Sequence, residues 1–100
     1  MPKRFTRTLL ISILLLAGQA MAAPPETEWT CRGCHGQKGV SSIPIVPNLA
    51  CQQEQYLINA LLAYRDGRRI DASMSAATNR MLTSEIEALA AYYAHEACPK

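Results

Sequence analysis

Cys31-Arg32-Gly33-Cys34-His35 puts two thiols and an imidazole within five residues, the densest chemistry in the chain. Two cysteines separated by two residues project from one helical turn at the spacing of the two vinyl groups of a haem, so both can become thioethers. The residue that follows then lies under the iron, where a neutral imidazole nitrogen can coordinate. C-x-x-C-H is the attachment signature of c-type haem. Two other chemistries use the same cysteine pair. A thioredoxin-type redox disulfide calls for a βαβ setting, which this chain does not offer. Zinc needs two further ligands, and Cys51, His95 and Cys98 do not make the usual second knuckle. Haem is therefore the reading carried forward, with Gly36 placed so that backbone can lie close to a flat macrocycle.

The elements that must position these residues read as helices. Thr27 to His35 can form a short first helix bearing the cysteines, broken by Gly36 and Gly39. Ser41 to Asn48, with Pro44 and Pro47, reads as loop. From Gln52 to Asp66, Leu57, Leu61 and Tyr64 recur at helical spacing, and Gly67 is placed as a stop. Arg68 to Leu82 shows neither helical nor strand period and is expected to be irregular with one turn of helix at most. Thr83 or Ser84 is expected to cap a last helix whose apolar face is Ile86, Leu89, Ala90 and Tyr93, with Glu85, Glu87 and Glu96 off it. No stretch alternates as a strand would. The expected class is all-α, with three main helices and long loops around one covalently bound haem.

Residues 1–22 read as a secretory leader. Lys3, Arg4 and Arg7 precede an apolar run from Leu9 to Ala17, and Ala20-Met21-Ala22 suits a signal peptidase cutting after Ala22. The run is too short to be a retained membrane span. The remaining domain, residues 23–100, holds seven of the ten Lys+Arg against all eight Asp+Glu, so the basic excess belongs to the leader. Its balance gives no reason to expect nucleic acid. At 78 residues it is near the size at which a side-chain core is marginal and staples or cofactors become common. Export also places four cysteines in an oxidising compartment, the periplasm.

From Trp29 to Ala94 the chain resembles the small class I c-type cytochromes of bacteria. Cys34-His35-Gly36 with Gly39 matches the family's attachment turn, and Pro47-Asn48-Leu49 its loop on the histidine side of the haem. Tyr56-Leu57, Tyr64-Arg65, and Gly67 with Arg69 match its middle helix and the turn after it. Leu89-Ala90-Ala91-Tyr92-Tyr93 matches its last helix. The resemblance implies one haem c attached through Cys31 and Cys34, with His35 as the proximal iron ligand. It also implies that the Pro47 carbonyl accepts a hydrogen bond from the other ring nitrogen of His35. The distal sulfur would be Met74. Met81 is the rival and reads as core filling; His95 or an open sixth position complete the alternatives. Of Arg65, Arg68 and Arg69, a propionate contact is assigned to Arg69, the others reading as a solvated face. Trp29, Tyr56, Tyr64, Tyr92 and Tyr93 read as pocket and packing residues.

The implied function is single-electron transfer between redox protein donors and acceptors, by a monomer or by a subunit of a redox complex, with no bond-making chemistry. The alternative from another class is a haem sensor, or a cytochrome subunit of a larger redox enzyme, with an open or displaceable sixth ligand. A structural or metal-binding domain without haem is the third. Cys51 and Cys98 lie outside the family's common pattern. Both are spare in an oxidising compartment, and an intramolecular disulfide is expected of them. A packed thiol with a frayed end, or a dimer through Cys98, are the other outcomes.

Overall fold

The computed structural model describes residues 23–100, so the expected leader and its cleavage after Ala22 lie outside the described residues. Four helices follow one another, α1 (Glu28–His35), α2 (Glu54–Arg65), α3 (Ala72–Thr78) and α4 (Thr83–Ala94), with no strand among the described residues. Three of them are the expected helices, and the class is all-α.

Helix α1 ends where Gly36 turns to φ 84° and returns its N–H to the Arg32 carbonyl at 3.0 Å. The reason for glycine here differs from the one read off the sequence. A Cβ at Gly36 would strike the Val40 carbonyl, so the tight turn itself demands it. Helix α2 stops as expected at Gly67 (φ 78°), after which the Arg68 and Arg69 N–H groups both donate to the Ala63 carbonyl at 2.9 and 3.0 Å.

The stretch expected to be irregular contains α3, a seven-residue helix. Asp71 explains it. Its backbone is extended and its carboxylate accepts the Met74 N–H at 2.9 Å, an N-cap that satisfies one of the free donors of the first turn. Alanines at 72, 76 and 77 then favour helix over loop. The cap of α4 also differs. Leu82 occupies the N-cap position, and it is the Glu85 carboxylate that reaches back to accept the Leu82 N–H at 2.9 Å. Thr83, already helical, spends its hydroxyl on accepting from Arg65 Nη1 at 3.0 Å.

The core forms where α2 meets α4. Leu57, Met81, Ile86, Leu89, Ala90 and Tyr93 make one buried cluster, with Ile86, Leu89 and Ala90 wholly inaccessible. Burying a side chain of the Leu or Ile kind contributes about 1.5–3 kcal/mol, so the expected α4 face is the main apolar anchor. Its buried members, Ile86, Leu89, Ala90 and Tyr93, recur at intervals of three and four residues, as a helix with one buried face requires. Among the described residues no helix is long and apolar enough to cross a membrane.

Candidate functional site

A cavity of about 670 Å³ opens between α1, the 45–49 loop, α2 and α3. Cys31, Cys34 and His35 line it from α1, Leu57, Leu61 and Tyr64 from α2, and Met74 and Thr78 from α3. Its size falls within the roughly 300–1,000 Å³ typical of small-molecule and cofactor sites.

His35 is buried, and its Nδ1 lies 2.8 Å from the Pro47 carbonyl oxygen. A carbonyl only accepts, so Nδ1 carries the proton and Nε2 keeps the lone pair. That leaves the other ring nitrogen free to accept or to bind a metal, with its tautomer and plane fixed. Pro47 itself is held in a segment closed by several bonds. The Leu49 and Ala50 N–H groups donate to the Gly39 carbonyl at 2.7 and 3.0 Å, and the Asn48 side-chain oxygen accepts the Ser41 N–H at 2.7 Å. Cys51 donates its N–H to the Tyr93 carbonyl at 3.0 Å and adopts φ 64°. A disulfide joins it to Cys98, across a Cα separation of 4.7 Å within the range such bonds need. The intramolecular pairing expected of these two cysteines is thus the one the structure contains.

Met74 is half-buried, and its backbone is fixed at both ends. Its N–H donates to Asp71, and its carbonyl accepts from Thr78 Oγ1 at 2.8 Å. Asp71 and Thr78 were not singled out from the sequence. The Asp-Ala-Ser-Met pattern opening a short helix was the signal that could have found the first; nothing local marks Thr78, which is inaccessible. Met81 also lines the cavity but belongs to the buried core cluster, as expected. His95 is exposed, its Nδ1 lies 2.7 Å from the Ala91 carbonyl of its own helix, and it does not line the cavity.

Cys31 and Cys34 are free thiols, the first half-buried and the second exposed. Burial pushes the Cys31 thiol up to about 11, with the Tyr93 hydroxyl pulling the other way and Glu28 adding a little to the rise. Glu28 is the functional neighbour that sequence reasoning missed. It is almost inaccessible, yet charged, and it is paired on two sides: Arg32 Nε at 3.2 Å and the Tyr93 hydroxyl donating at 3.3 Å. The i,i+4 spacing of Glu28 and Arg32 was legible; the burial was not. Burial, more than the neighbouring Cys31 and Glu28, raises the Tyr93 phenol well above its ordinary value.

Tyr56, Tyr64 and Tyr93 line the cavity, and Tyr92 meets Tyr93 edge to face at 5.0 Å. Trp29 does not follow the expectation. It is two-thirds exposed and turned from the cavity, because Glu28 and Cys31 take the inner face of so short a helix. Arg65 is engaged by Asp66 at 3.0 Å and by Thr83, and Arg68 lies 3.5 Å from Asp66. Arg69 differs from both: its guanidinium stacks over the Tyr64 ring at 4.6 Å and borders the cavity, and it makes no salt bridge among the described residues.

The donor set fits a haem. An apolar-walled cavity carries two unpaired thiols one helical turn apart, an imidazole whose Nε2 is the free nitrogen, and a thioether. A zinc site does not fit, since Cys51 and Cys98 are committed to each other. No family model matches the chain. Individual relatives do. It is 34% identical over 77 residues to cytochrome c4 of Thiocapsa roseopersicina, an alignment covering 77% of this chain and 40% of the relative. It is 36% identical over 103 aligned positions to cytochrome c-552 of Acidithiobacillus ferridurans, covering 88% and 45%. With the thiosulfate dehydrogenase electron acceptor of Thiomonas intermedia it shares 40% identity over 73 residues, covering 72% and 33%. The chain therefore spans less than half the length of these relatives.

Proposed function

We propose, from the premise that this chain belongs to the c-type cytochrome family, that it is a periplasmic single-electron carrier with one haem c in the cavity. The observation that carries the reading is the His35 ring, buried at the cavity wall with Nδ1 held by Pro47 so that Nε2 is left for a metal. When bound, the haem supplies a one-electron change at its iron, and no other chemistry is asked of it.

The chain's residues hold and shield. Cys31 and Cys34 would supply the thioether sulfurs. His35 Nε2 and the Met74 sulfur would hold the iron, each with its ring or backbone fixed by hydrogen bonds that need not rearrange when charge changes. With both bound the iron would have no position for a substrate, which favours a carrier over a sensor or an enzyme subunit with an open sixth site. The Arg69 guanidinium at the cavity border would neutralise a propionate. The cavity mouth offers a docking face for redox proteins: Ile45 lines it, Ile70 lies between the lining residues Arg69 and Asp71, and both are over nine-tenths exposed. That a relative bears the name of an electron acceptor supports such an exchange.

The test is direct. The exported protein should keep its haem on a denaturing gel, and its reduced and oxidised spectra should be those of a low-spin c-type haem with a sulfur-to-iron band in the oxidised form. Loss of haem under denaturation would remove the covalent reading. A retained haem without that band would move the protein to the open-ligand alternative.

A further inference from the structure

We infer that the Cys51–Cys98 disulfide is a positioning device for His35, acting through the 47–51 segment. The inference rests on the reading of His35 as the iron ligand. Cys51 is the one residue other than glycine at positive φ among those described, at 64°. A side chain disfavours that conformation, so something outside the residue must hold it. Two bonds do, and both run to α4 and its continuation: the Cys51 N–H to the Tyr93 carbonyl at 3.0 Å, and the covalent link to Cys98.

The same segment presents the Pro47 carbonyl to Nδ1 of His35 at 2.8 Å. Packing alone does not hold that end of it, because Pro47 and Asn48 are exposed and the chain first becomes buried at Ala50. Its bonds to Gly39 and Ser41 tie it to a loop that is itself a continuation of α1. Three ties attach this loop pair to the rest of the fold: the Gly39 and Tyr93 contact, the half-buried Leu49 side chain against the core cluster, and Cys51, which alone adds a covalent bond. If Cys51 relaxed to an ordinary φ, the direction of the chain at Ala50 would change and with it the placing of Pro47. Cys51 and Cys98 are positioning residues in this sense, since neither lines the cavity.

A disulfide that merely staples the chain ends would raise global stability and leave His35 no better held than any other group. The two roles separate in the holoprotein by hydrogen exchange. In Cys51→Ala with Cys98→Ala, exchange of the His35 Nδ1–H should accelerate about tenfold more than that of the Leu61 amide within α2. In Cys51→Gly with Cys98→Ala, where glycine takes the positive φ without the bond, the Nδ1–H should return close to its native ratio. A looser Pro47 hydrogen bond makes the imidazole a poorer electron donor, so the midpoint potential should rise in the first variant and recover in the second.

Exchange at His35 that merely keeps pace with Leu61 in the alanine variant would overturn the proposal. Should that variant not fold, Cys98→Ala alone decides, since it leaves a side chain at Cys51 without the bond: His35 exchange that outruns Leu61 there would uphold the proposal, and exchange that keeps pace would overturn it. Selective loosening in protein that proves to carry no haem would uphold the positioning role while removing the electron-carrier reading.

Discussion

The hydroxyl of Tyr93 donates to the Glu28 carboxylate at 3.3 Å across 65 positions of sequence, tying the first helix to the last beneath the cysteine-bearing turn. Glu28 is almost inaccessible, and a buried carboxylate is tolerated only when its oxygens are paired. Arg32 takes one oxygen at 3.2 Å and Tyr93 the other, so the charge is compensated within the turn that presents Cys31.

Tyr93→Phe keeps the ring in the core and removes only this donor. One buried oxygen of Glu28 is then left short of a partner, which should cost about 1–3 kcal/mol. Chemical denaturation of the holoprotein measures it. A change below about 0.5 kcal/mol would mean that water replaces the hydroxyl, contrary to the burial seen here.

Gly39 and Gly67 share positive φ, 73° and 78°, but not surroundings. A Cβ at Gly39 would come within 2.8 Å of both the Ala50 nitrogen and Tyr93 Cδ1, whereas at Gly67 nothing lies within 4 Å. Gly67→Ala should therefore cost about 1 kcal/mol, the conformational term alone. Gly39→Ala should cost at least about 2 kcal/mol, with clash added to conformation. Thermal unfolding of the two variants side by side checks the order, and equal costs would mean that the Gly39 turn opens freely.

Local chemistry was legible in the sequence wherever it was decided locally. C-x-x-C-H, the stop at Gly67 and the apolar face Ile86, Leu89, Ala90 and Tyr93 depend on neighbours within one or two turns, and the structure contains all three. The His35 and Pro47 pairing came from family resemblance, since a separation of 12 residues leaves no periodic trace. What was missed depends on competition between local options or on distant packing. Asp71 won Met74 for a helix by one side-chain bond, Glu85 moved the α4 cap to Leu82, and Glu28 was buried by a tyrosine far along the chain. Trp29 was misread for the same reason: on a helix of eight residues only one narrow face can be inside.

Removing the haem should remove this packing. A space of about 670 Å³ lined by Leu57, Leu61, Met81, Leu89 and Ala90 would lose its apolar filling and take in water, and a domain of this size has only about 5–15 kcal/mol of stability to lose. Thiol reactivity reports the outcome. In the folded arrangement burial raises Cys31 from 9.0 to about 11. The thiol is protonated in both states below about pH 9, so burial carries no protonic penalty there; as pH climbs from 9 towards 11 the unfolded chain ionises first and the fold loses stability. Chain made without haem should instead show Cys31 and Cys34 alkylated at similar rates at pH 8. Much slower labelling of Cys31 would mean that the cavity stands without its cofactor.

Met74 and Met81 both line the cavity, and their settings predict opposite consequences of mutation. Met74 is half-buried, with its N–H on Asp71 and its carbonyl under Thr78, so little of the core depends on its side chain. Met81 is buried among Leu57, Ile86, Leu89, Ala90 and Tyr93 and fills space. Replacing Met74 with alanine should abolish the sulfur-to-iron band of the oxidised protein and lower the midpoint potential, because thioether ligation favours the reduced iron. Its effect on stability should come chiefly from the lost iron bond. Met81→Leu conserves volume and should cost less than about 1.5 kcal/mol while leaving band and potential unchanged. Met81→Ala should cost about 2–5 kcal/mol, again with the band retained. Spectra, potentiometry and denaturation on the three variants together give a pattern that no common destabilisation can mimic. A band that survives Met74→Ala and vanishes with Met81→Leu would exchange the two roles and make α3 a wall of the cavity instead of the ligand's support.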